Sequence, residues 1–337
     1  MDTEGQSPRD AVLSMTNGFR VSQAIHVAAT LGIADLVTNG TQTVEELAKT
    51  TGTDAPTLSR LLRALASVGV FTETEAGVGQ TPLSETLRSD APGSARAWAM
   101  HIGQTYFWSS WGHLLNSVRS GNSAFDELYG MTAWEYRAAH PEANAIFNAA
   151  MTSNSLGVVD AIVAAYDFSK TRVLVDVAGG EGALLAAILV ANPHLRGILF
   201  DQPHVLAGAR AFLEGAGVHD RCEIVSGSFF EKVPNGGDAY ILKSIVHDWD
   251  DASSVSILRQ CRAAINDGGR LLLVEQVLKG ANESDSAKFA DLMMLVMLGG
   301  RERNAGEFQR LCLEAGFRLT NIIPTDSRYS IVESVAV

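Results

Sequence analysis

The sequence predicts an α/β protein: a doubly wound parallel sheet in the C-terminal half, preceded by a helical domain of winged-helix type. Three features predict it. From Asp167 onward, short β-branched runs alternate with stretches of helical period, the pattern of a sheet wound on both faces. The first run, Val173 to Val177, breaks into Ala178, Gly179, Gly180 and Gly182 before a helix, a strand-turn-helix unit. Ahead of these, residues 43–81 hold two helix starts and a glycine hairpin. The expected divisions are residues 1–95, a helical connector over 96–165 that helps to form a pocket, and the sheet domain over 166–337.

In chain order, Val12, Met15, Phe19, Ile25, Ala28 and Ala29 fall at helical spacing between Ala11 and Leu36, with Gly32 as an interruption. Thr43 followed by Glu46 has the form of a capping box and opens a helix ending near Thr51. A second helix starts at Thr53-Asp54-Ala55-Pro56 and carries Leu58, Leu61, Leu62 and Leu65 to Gly69. Val70 to Thr72 and Gly79 to Thr81 flank a glycine turn and read as a small wing. Two short helices and a wing form a shape used for reading DNA. The second helix offers a groove only Arg60 and Arg63, so protein-protein contact, dimerisation foremost, is the better reading.

The helical stretch from Pro82 to Asp160 holds four of the five tryptophans. Most of its large side chains serve helix packing. Trp108, Trp134 and Phe147 are candidates for walls around a flat aromatic ligand, because ligand sites favour domain junctions.

Strands are expected at Val173 to Val177, Gly197 to Phe200, Cys222 to Val225, Ala239 to Leu242 and Arg270 to Glu275. A helix through Met293 to Leu298 follows, then strands near Phe317 to Ile323 and Tyr329 to Val335. Ligands of such sheets lie beyond the carboxyl ends of the strands. The glycine turn lets a ligand approach backbone, and the helix behind it points unpaired N–H groups the same way. A dinucleotide is disfavoured: Leu185 stands where the last glycine of G-x-G-x-x-G belongs, and Asp176 and Glu181 would repel a diphosphate. An adenosine ligand with a positive sulfonium and no phosphate, S-adenosylmethionine, fits an acidic glycine loop better. Asp201, about 20 residues past the loop, is placed to take both ribose hydroxyls.

Net charge is −12, so the surface as a whole repels polyanions and nucleic acid is not an expected partner. Cys222, Cys261 and Cys312 are far apart and lack metal-ligand spacing, which reads as reduced, mostly buried thiols in a cytoplasmic protein. Met1 to Asp10 lacks the features of a signal peptide, and no apolar run reaches the roughly 20 residues that span a bilayer, so no membrane association is expected.

After the fourth strand comes Lys243-Ser244-Ile245-Val246-His247-Asp248-Trp249-Asp250-Asp251. Asp250 or Asp251 caps the helix expected over Ala252 to Ile265, and this pair does not make a magnesium site. His247 lies at the mouth of the sheet, and an imidazole titrating near pH 6.5 suits general-base work. Glu275 ends the fifth strand, and Glu302 lies in Gly299-Gly300-Arg301-Glu302-Arg303. Either carboxylate could orient the imidazole. Glu302 could equally form an ion pair with Arg301 or Arg303.

These residues, in sequence, resemble a known family. Asp176-Val177-Ala178-Gly179-Gly180-Glu181-Gly182, Asp201-Gln202-Pro203-His204-Val205, Gly227-Ser228-Phe229-Phe230, Leu242-Lys243 with His247-Asp248-Trp249, Glu275, and Gly299 to Arg303 look like successive motifs of the S-adenosylmethionine-dependent small-molecule O-methyltransferases. Tyr129 to Tyr136 resembles the acceptor-domain motif of that family. The family includes plant caffeate-type enzymes and bacterial enzymes acting on anthracyclines, mitomycins and phenazines. The resemblance runs from about Arg20 to the C-terminus and implies a Rossmann-like methyltransferase sheet with an N-terminal dimerisation domain that lends a wall to its partner's pocket.

Position by position, the resemblance makes His247 the base that takes the acceptor hydroxyl's proton, with Glu275 and Glu302 beside it. It sets Asp176, Gly179, Gly180, Gly227, Lys243 and Ser155 around the cofactor, Asp201 on the ribose, and Ser228 and Phe229 at the adenine. Met151, Asn154, Asp248, Met294, Met297 and Leu298 fall where acceptor-pocket residues lie. Three departures stand out: Ser228 replaces a frequent Asp, Ala178 replaces a glycine in what reads as a small change, and Asn154 replaces the His of plant members. The last argues against phenylpropanoid acceptors.

The expected reaction is in-line methyl transfer to a hydroxyl of a planar aromatic acceptor, with S-adenosylhomocysteine as product and no metal required. N-methylation, and non-methylating chemistry on the same scaffold such as pericyclisation or hydroxylation, are the enzyme alternatives. A winged-helix transcription regulator is the non-enzyme alternative.

Overall fold

A computed structural model of the chain describes residues 7–156 and 158–337, with Leu156 described through its backbone. The expectation made for Met1 to Asp10 falls largely on residues 1–6, outside the described residues.

The chain forms two compact units. One combines Met1–Trp108 with Arg137–Asn154; the other combines Ser109–Tyr136 with Ser155–Val337. The stretch expected as a connector over 96–165 is therefore shared out between the two units. Arg96–Ile102 packs on Pro8–Leu31 in the first, and Ala124–Tyr129 packs on Ala287–Leu298 in the second.

In the first unit, the long helix Pro8–Leu31 starts at Ser7, whose side chain accepts the Asp10 N–H, and ends where Gly32 takes the left-handed backbone that closes it. Val44–Thr51 carries the expected Thr43–Glu46 capping box, and Ala55–Ala66 is capped by Asp54 with Pro56 in its first turn. Their inward residues Leu47, Leu58, Leu62 and Leu65 pack with Phe71 and Val78 into one core. The wing is β1 (Thr72–Thr74) and β2 (Gly77–Gly79), two residues nearer the hairpin tip than expected. Phe71 is pulled out of the strand and into the core, where burying its ring outweighs one more ladder pair.

The second unit is built on seven strands: β3 (Val173–Val177), β4 (Arg196–Asp201), β5 (Cys222–Ser226), β6 (Ala239–Lys243), β7 (Arg270–Glu275), β8 (Phe317–Pro324) and β9 (Ser330–Ala336). Their spatial order is β5-β4-β3-β6-β7-β9-β8. The first five run parallel, as expected. β9 is antiparallel to both β7 and β8, which corrects the all-parallel expectation. The connection from β8 to β9 is too short for the crossover that parallel neighbours need, so the pair closes as a hairpin. The chain winds outward in both directions from β3, so the switch point lies between β3 and β6. That is where an open sheet leaves a crevice.

Two apolar cores flank the sheet, one around Leu242, Leu258, Cys261 and Phe308, the other around Leu174, Leu185, Leu189 and Leu199. Cys261 and Cys312 are buried as expected, whereas Cys222, on the outer strand β5, is only half-buried; all three are unpaired. Among the described residues no single helix is long and apolar enough to cross a membrane; Pro141–Ser155 and Val159–Ala165 pass that test only as a pair bent by 42°.

Candidate active site

The carboxyl ends of β3, β4, β6 and β7 place Asp176, Asp201, Lys243 and Glu275 along one edge of the sheet. After β3 the backbone turns through Ala178 and Gly180, both left-handed, with φ of 57° and 63°. The helix Ala183–Ala191 then starts at Gly182 without a side-chain cap. Gly180 has open space where a side chain would point, whereas a Cβ on Gly179 would lie 2.6 Å from the Asp176 carboxyl. Asp201 braces the turn, its Oδ2 accepting the Gly180 N–H at 2.9 Å. Ala178 is thus no small change: a side chain occupies a backbone region that L residues enter at a cost of about 1–2 kcal/mol.

This turn fits a cationic adenosine ligand. Asp176 is 1% exposed, and its Oδ2 has no hydrogen-bond partner among the described residues. Burial pushes its pKa up to about 7, with Lys243 pulling it down and Asp201 pushing it up. Burial likewise raises Asp201, against the N–H groups of Gln202 and Gly180. A glycine cradle flanked by a buried acid, Asp176, and a half-buried one, Asp201, favours a positive ligand over a diphosphate. Beyond β5, a Cβ on Gly227 would meet the Phe200 ring at 2.8 Å, Ser228 Oγ accepts the Phe230 N–H, and Phe229 stands edge-on to Trp249. Ser155 lies in the helix Pro141–Leu156.

The second half of the site is the loop after β6. Ser244 is left-handed, Val246–Asp248 make one 3-10 turn, and the helix Asp251–Ala264 follows. Its cap is Asp250, whose Oδ1 accepts the Ser253 N–H at 2.7 Å. Glu275, fully buried at the end of β7, reaches under the loop; its Oε1 accepts the Ile245 and Val246 N–H groups at 3.0 Å each. His247 then lies with Nδ1 2.9 Å from Glu302 Oε1 and 3.6 Å from Glu275 Oε2, while Nε2 lies 3.4 Å from Asp248 Oδ1.

Glu302 therefore pairs with His247 and not with its arginine neighbours. Arg303 turns away, donating to Asp251, to the Val246 and Trp249 carbonyls and to Ser254 Oγ. Arg301 donates its N–H to the His247 carbonyl and its guanidinium to Glu307. Gln276 Nε2 also donates to Glu302 Oε1, and Asp291 Oδ1 accepts the Glu302 N–H. A Cβ on Gly300 would lie 2.1 Å from the His247 carbonyl oxygen, so the two loops meet backbone to backbone.

A carboxylate only accepts, so the 2.9 Å contact puts a proton on Nδ1 and leaves the Nε2 lone pair to take another. The electrostatics favour the resulting imidazolium. Burial alone would lower the His247 pKa, but Glu275, Asp248 and Glu302 together raise it above the ordinary imidazole value. Glu275 is itself raised by burial, although the imidazolium opposes this. One oxygen each of Glu275 and Glu302 is buried without a hydrogen-bond partner among the described residues, negative charge that a cation on His247 answers. His247 Nδ1 and the two glutamates also lie within 4.8 Å of one another, a donor set that could hold a metal ion. At 2.9 Å, however, Nδ1 and Oε1 are at hydrogen-bond separation.

Of the expected acceptor residues, Trp134, Asp248, Met294, Met297 and Leu298 fall in the second unit, where Trp134 stacks on Trp249 at 6.3 Å and 15°. Trp108, Phe147, Met151 and Asn154 fall in the first. There Trp108 stands edge-on to Phe19, and Arg137 lies 3.8 Å over the Phe147 ring. His101, buried among Trp98, Tyr106, Phe107 and Phe147, has no signal in the sequence. Burial, then Arg137, push its pKa down to about 4.

Residues 111–318, more than half of the chain, match the family model described as the O-methyltransferase domain, and residues 13–90 match the O-methyltransferase dimerisation domain. The chain belongs to the O-methyltransferase family. It is 48% identical to the phenazine O-methyltransferase PhzM of Lysobacter antibioticus, over 96% of this chain and 95% of that protein. The crystal structure of LaPhzM superposes with a TM-score of 0.95 at 47% identity, covering 98% of this chain and all of the other. NcsB1, an O-methyltransferase from neocarzinostatin biosynthesis solved with S-adenosyl-L-homocysteine and 1,4-dihydroxy-2-naphthoic acid, gives 0.82 at 35% identity, over 94% and 96% of the two chains.

Proposed function

We propose that this O-methyltransferase moves a methyl group from S-adenosylmethionine to a hydroxyl of a polycyclic, phenazine- or quinone-like aromatic metabolite, with His247 as general base. The observation that carries this reading is the Nδ1 contact to Glu302 at 2.9 Å, which leaves Nε2 as the group able to take a proton. S-adenosylmethionine, when bound, supplies an electrophilic methyl group on a positive sulfur.

The chain's own residues do the rest. Asp201 offers its carboxylate to the ribose, and Gly179 and Gly180 give the ligand room against backbone. Ser228 and Phe229 take the adenine, while Asp176, Gly227, Lys243 and Ser155 complete the cofactor cradle. His247 accepts the acceptor's hydroxyl proton at Nε2 as the oxygen becomes nucleophilic. Glu302 and Glu275 hold the ring in place and stabilise the imidazolium that forms. No metal takes part in this scheme, so treatment with a chelator leaves turnover unchanged. Trp108, Trp134, Phe147, Met151, Asn154, Asp248, Met294, Met297 and Leu298 provide the acceptor surface. The enzyme works as a cytoplasmic homodimer through residues 13–90, without nucleic acid or membrane.

The test is a screen of hydroxylated phenazines, quinones and naphthoates with methyl-labelled cofactor, read by mass spectrometry. Label on oxygen, with one S-adenosylhomocysteine per methyl, supports the proposal. Label on nitrogen, or a modified product without S-adenosylhomocysteine, favours the alternatives.

A further inference from the structure

The loop that carries His247 begins at a residue in a costly conformation. Ser244 directly follows β6 and has φ of 56°, a backbone region that non-glycine residues occupy only when their surroundings hold them there. Its N–H still pairs with the Val274 carbonyl, so the ladder persists up to this point and the chain turns sharply afterwards. The turn is what brings the next two N–H groups, of Ile245 and Val246, onto a single oxygen of Glu275. His247 comes immediately after them.

What holds Ser244 is Tyr329, 85 residues further along the chain. Ser244 Oγ donates to the Tyr329 hydroxyl oxygen at 3.1 Å. Tyr329 is a fixed platform: it is 6% exposed, its carbonyl accepts from the Thr325 N–H and Oγ1, and its N–H donates to Ser327 Oγ. Its ring also lies 5.4 Å from the Lys243 ammonium. It thus touches both residues at the point where the strand becomes the catalytic loop.

We infer that Tyr329 is a positioning residue for the base: through Ser244 it locks the left-handed turn that sets His247 against Glu275 and Glu302. This rests on the reading of His247 as the base, which the His247→Ala enzyme tests separately.

The experiment uses the full-length enzyme with any acceptor found by the screen. Tyr329→Phe keeps the ring over Lys243 and deletes the hydroxyl, and with it the bonds from Ser244 Oγ and, at 3.4 Å, from Arg328 Nη2. Ser244→Ala deletes the Ser244–Tyr329 bond alone, leaving the Arg328 contact in place. Either variant is expected to lower kcat about three- to tenfold with cofactor Kd unchanged. The ascending limb of kcat/KM against pH moves to lower pH, because the carboxylates that raise the His247 pKa no longer face it squarely. Glycine needs no help to adopt a positive φ. Ser244→Gly is therefore expected to retain activity, and Tyr329→Phe added to it costs little more.

A purely structural hydroxyl would move neither the pH limb nor show this rescue. The inference is overturned if Tyr329→Phe and Ser244→Ala keep the wild-type kcat and pH profile, or if the Ser244→Gly/Tyr329→Phe enzyme falls as far as Tyr329→Phe alone. An inactive His247→Ala enzyme beside a fully active Tyr329→Phe enzyme removes only this inference. A fully active His247→Ala enzyme removes the base itself.

Discussion

At the scale of single residues, the structure surrounds one imidazole with more carboxylates than it can neutralise. Three carboxylates face His247, and two of them are almost wholly buried. Their combined field raises its pKa, so His247, the proposed base, is protonated, and idle, at the acid end of the range. The rate constant kcat/KM is therefore expected to rise with pH and to level off only above the ordinary imidazole value near 6.5. Glu302→Gln removes one of those charges, so its ascending limb moves to lower pH while the plateau falls; an unmoved limb would show that Glu302 does not act on the base. Ala178 makes a separate prediction. Relieving its positive φ with Ala178→Gly is expected to hold stability or raise it by up to about 1 kcal/mol, despite the added freedom of the unfolded chain, as read by chemical denaturation.

At the scale of elements, two loops are joined through backbone. Arg303 is 1% exposed and gathers the Val246 and Trp249 carbonyls, Ser254 and Asp251 into one guanidinium. Arg303→Met leaves those acceptors without their donor and is expected to cost about 2–4 kcal/mol of stability, seen as a lowered Tm. Gly300→Ala forces the loops apart and is expected to cut kcat more than cofactor affinity. None of this was legible locally, because Arg303 and Val246 are 57 residues apart and the spacing of Arg301, Glu302 and Arg303 suited an ion pair within the run equally well. The elements themselves were legible where one local rule governs: the capping box at Thr43, the proline start of the next helix, and the glycine turn after β3. They were not where tertiary demands override: Phe71 leaves its expected strand for the core, and β9 runs against β7 because its partner strand is so near in sequence.

At the scale of the whole molecule, the two family matches follow the two kinds of pattern in the sequence, a winged helix and a strand-helix alternation. The helix Pro8–Leu31 leaves Val12 62% and Met15 66% exposed, apolar side chains around the start of the region, residues 13–90, that matches a dimerisation domain. The enzyme is expected to run at twice the chain mass in light scattering, and Val12→Asp with Met15→Asp is expected to shift it towards the monomer. A wild-type monomer would contradict the proposed homodimer. The aromatic candidates Trp108, Trp134 and Phe147 could be proposed from the density of tryptophan in one stretch, whereas Met151, Asn154, Asp248, Met294, Met297 and Leu298 could be proposed only by resemblance, because no single periodicity links them.

The most direct test of the account is methyl transfer by His247→Ala, measured beside cofactor affinity. The account predicts a fall in kcat of about a hundredfold or more, with the Kd for S-adenosylmethionine unchanged. Wild-type turnover from that variant would contradict it.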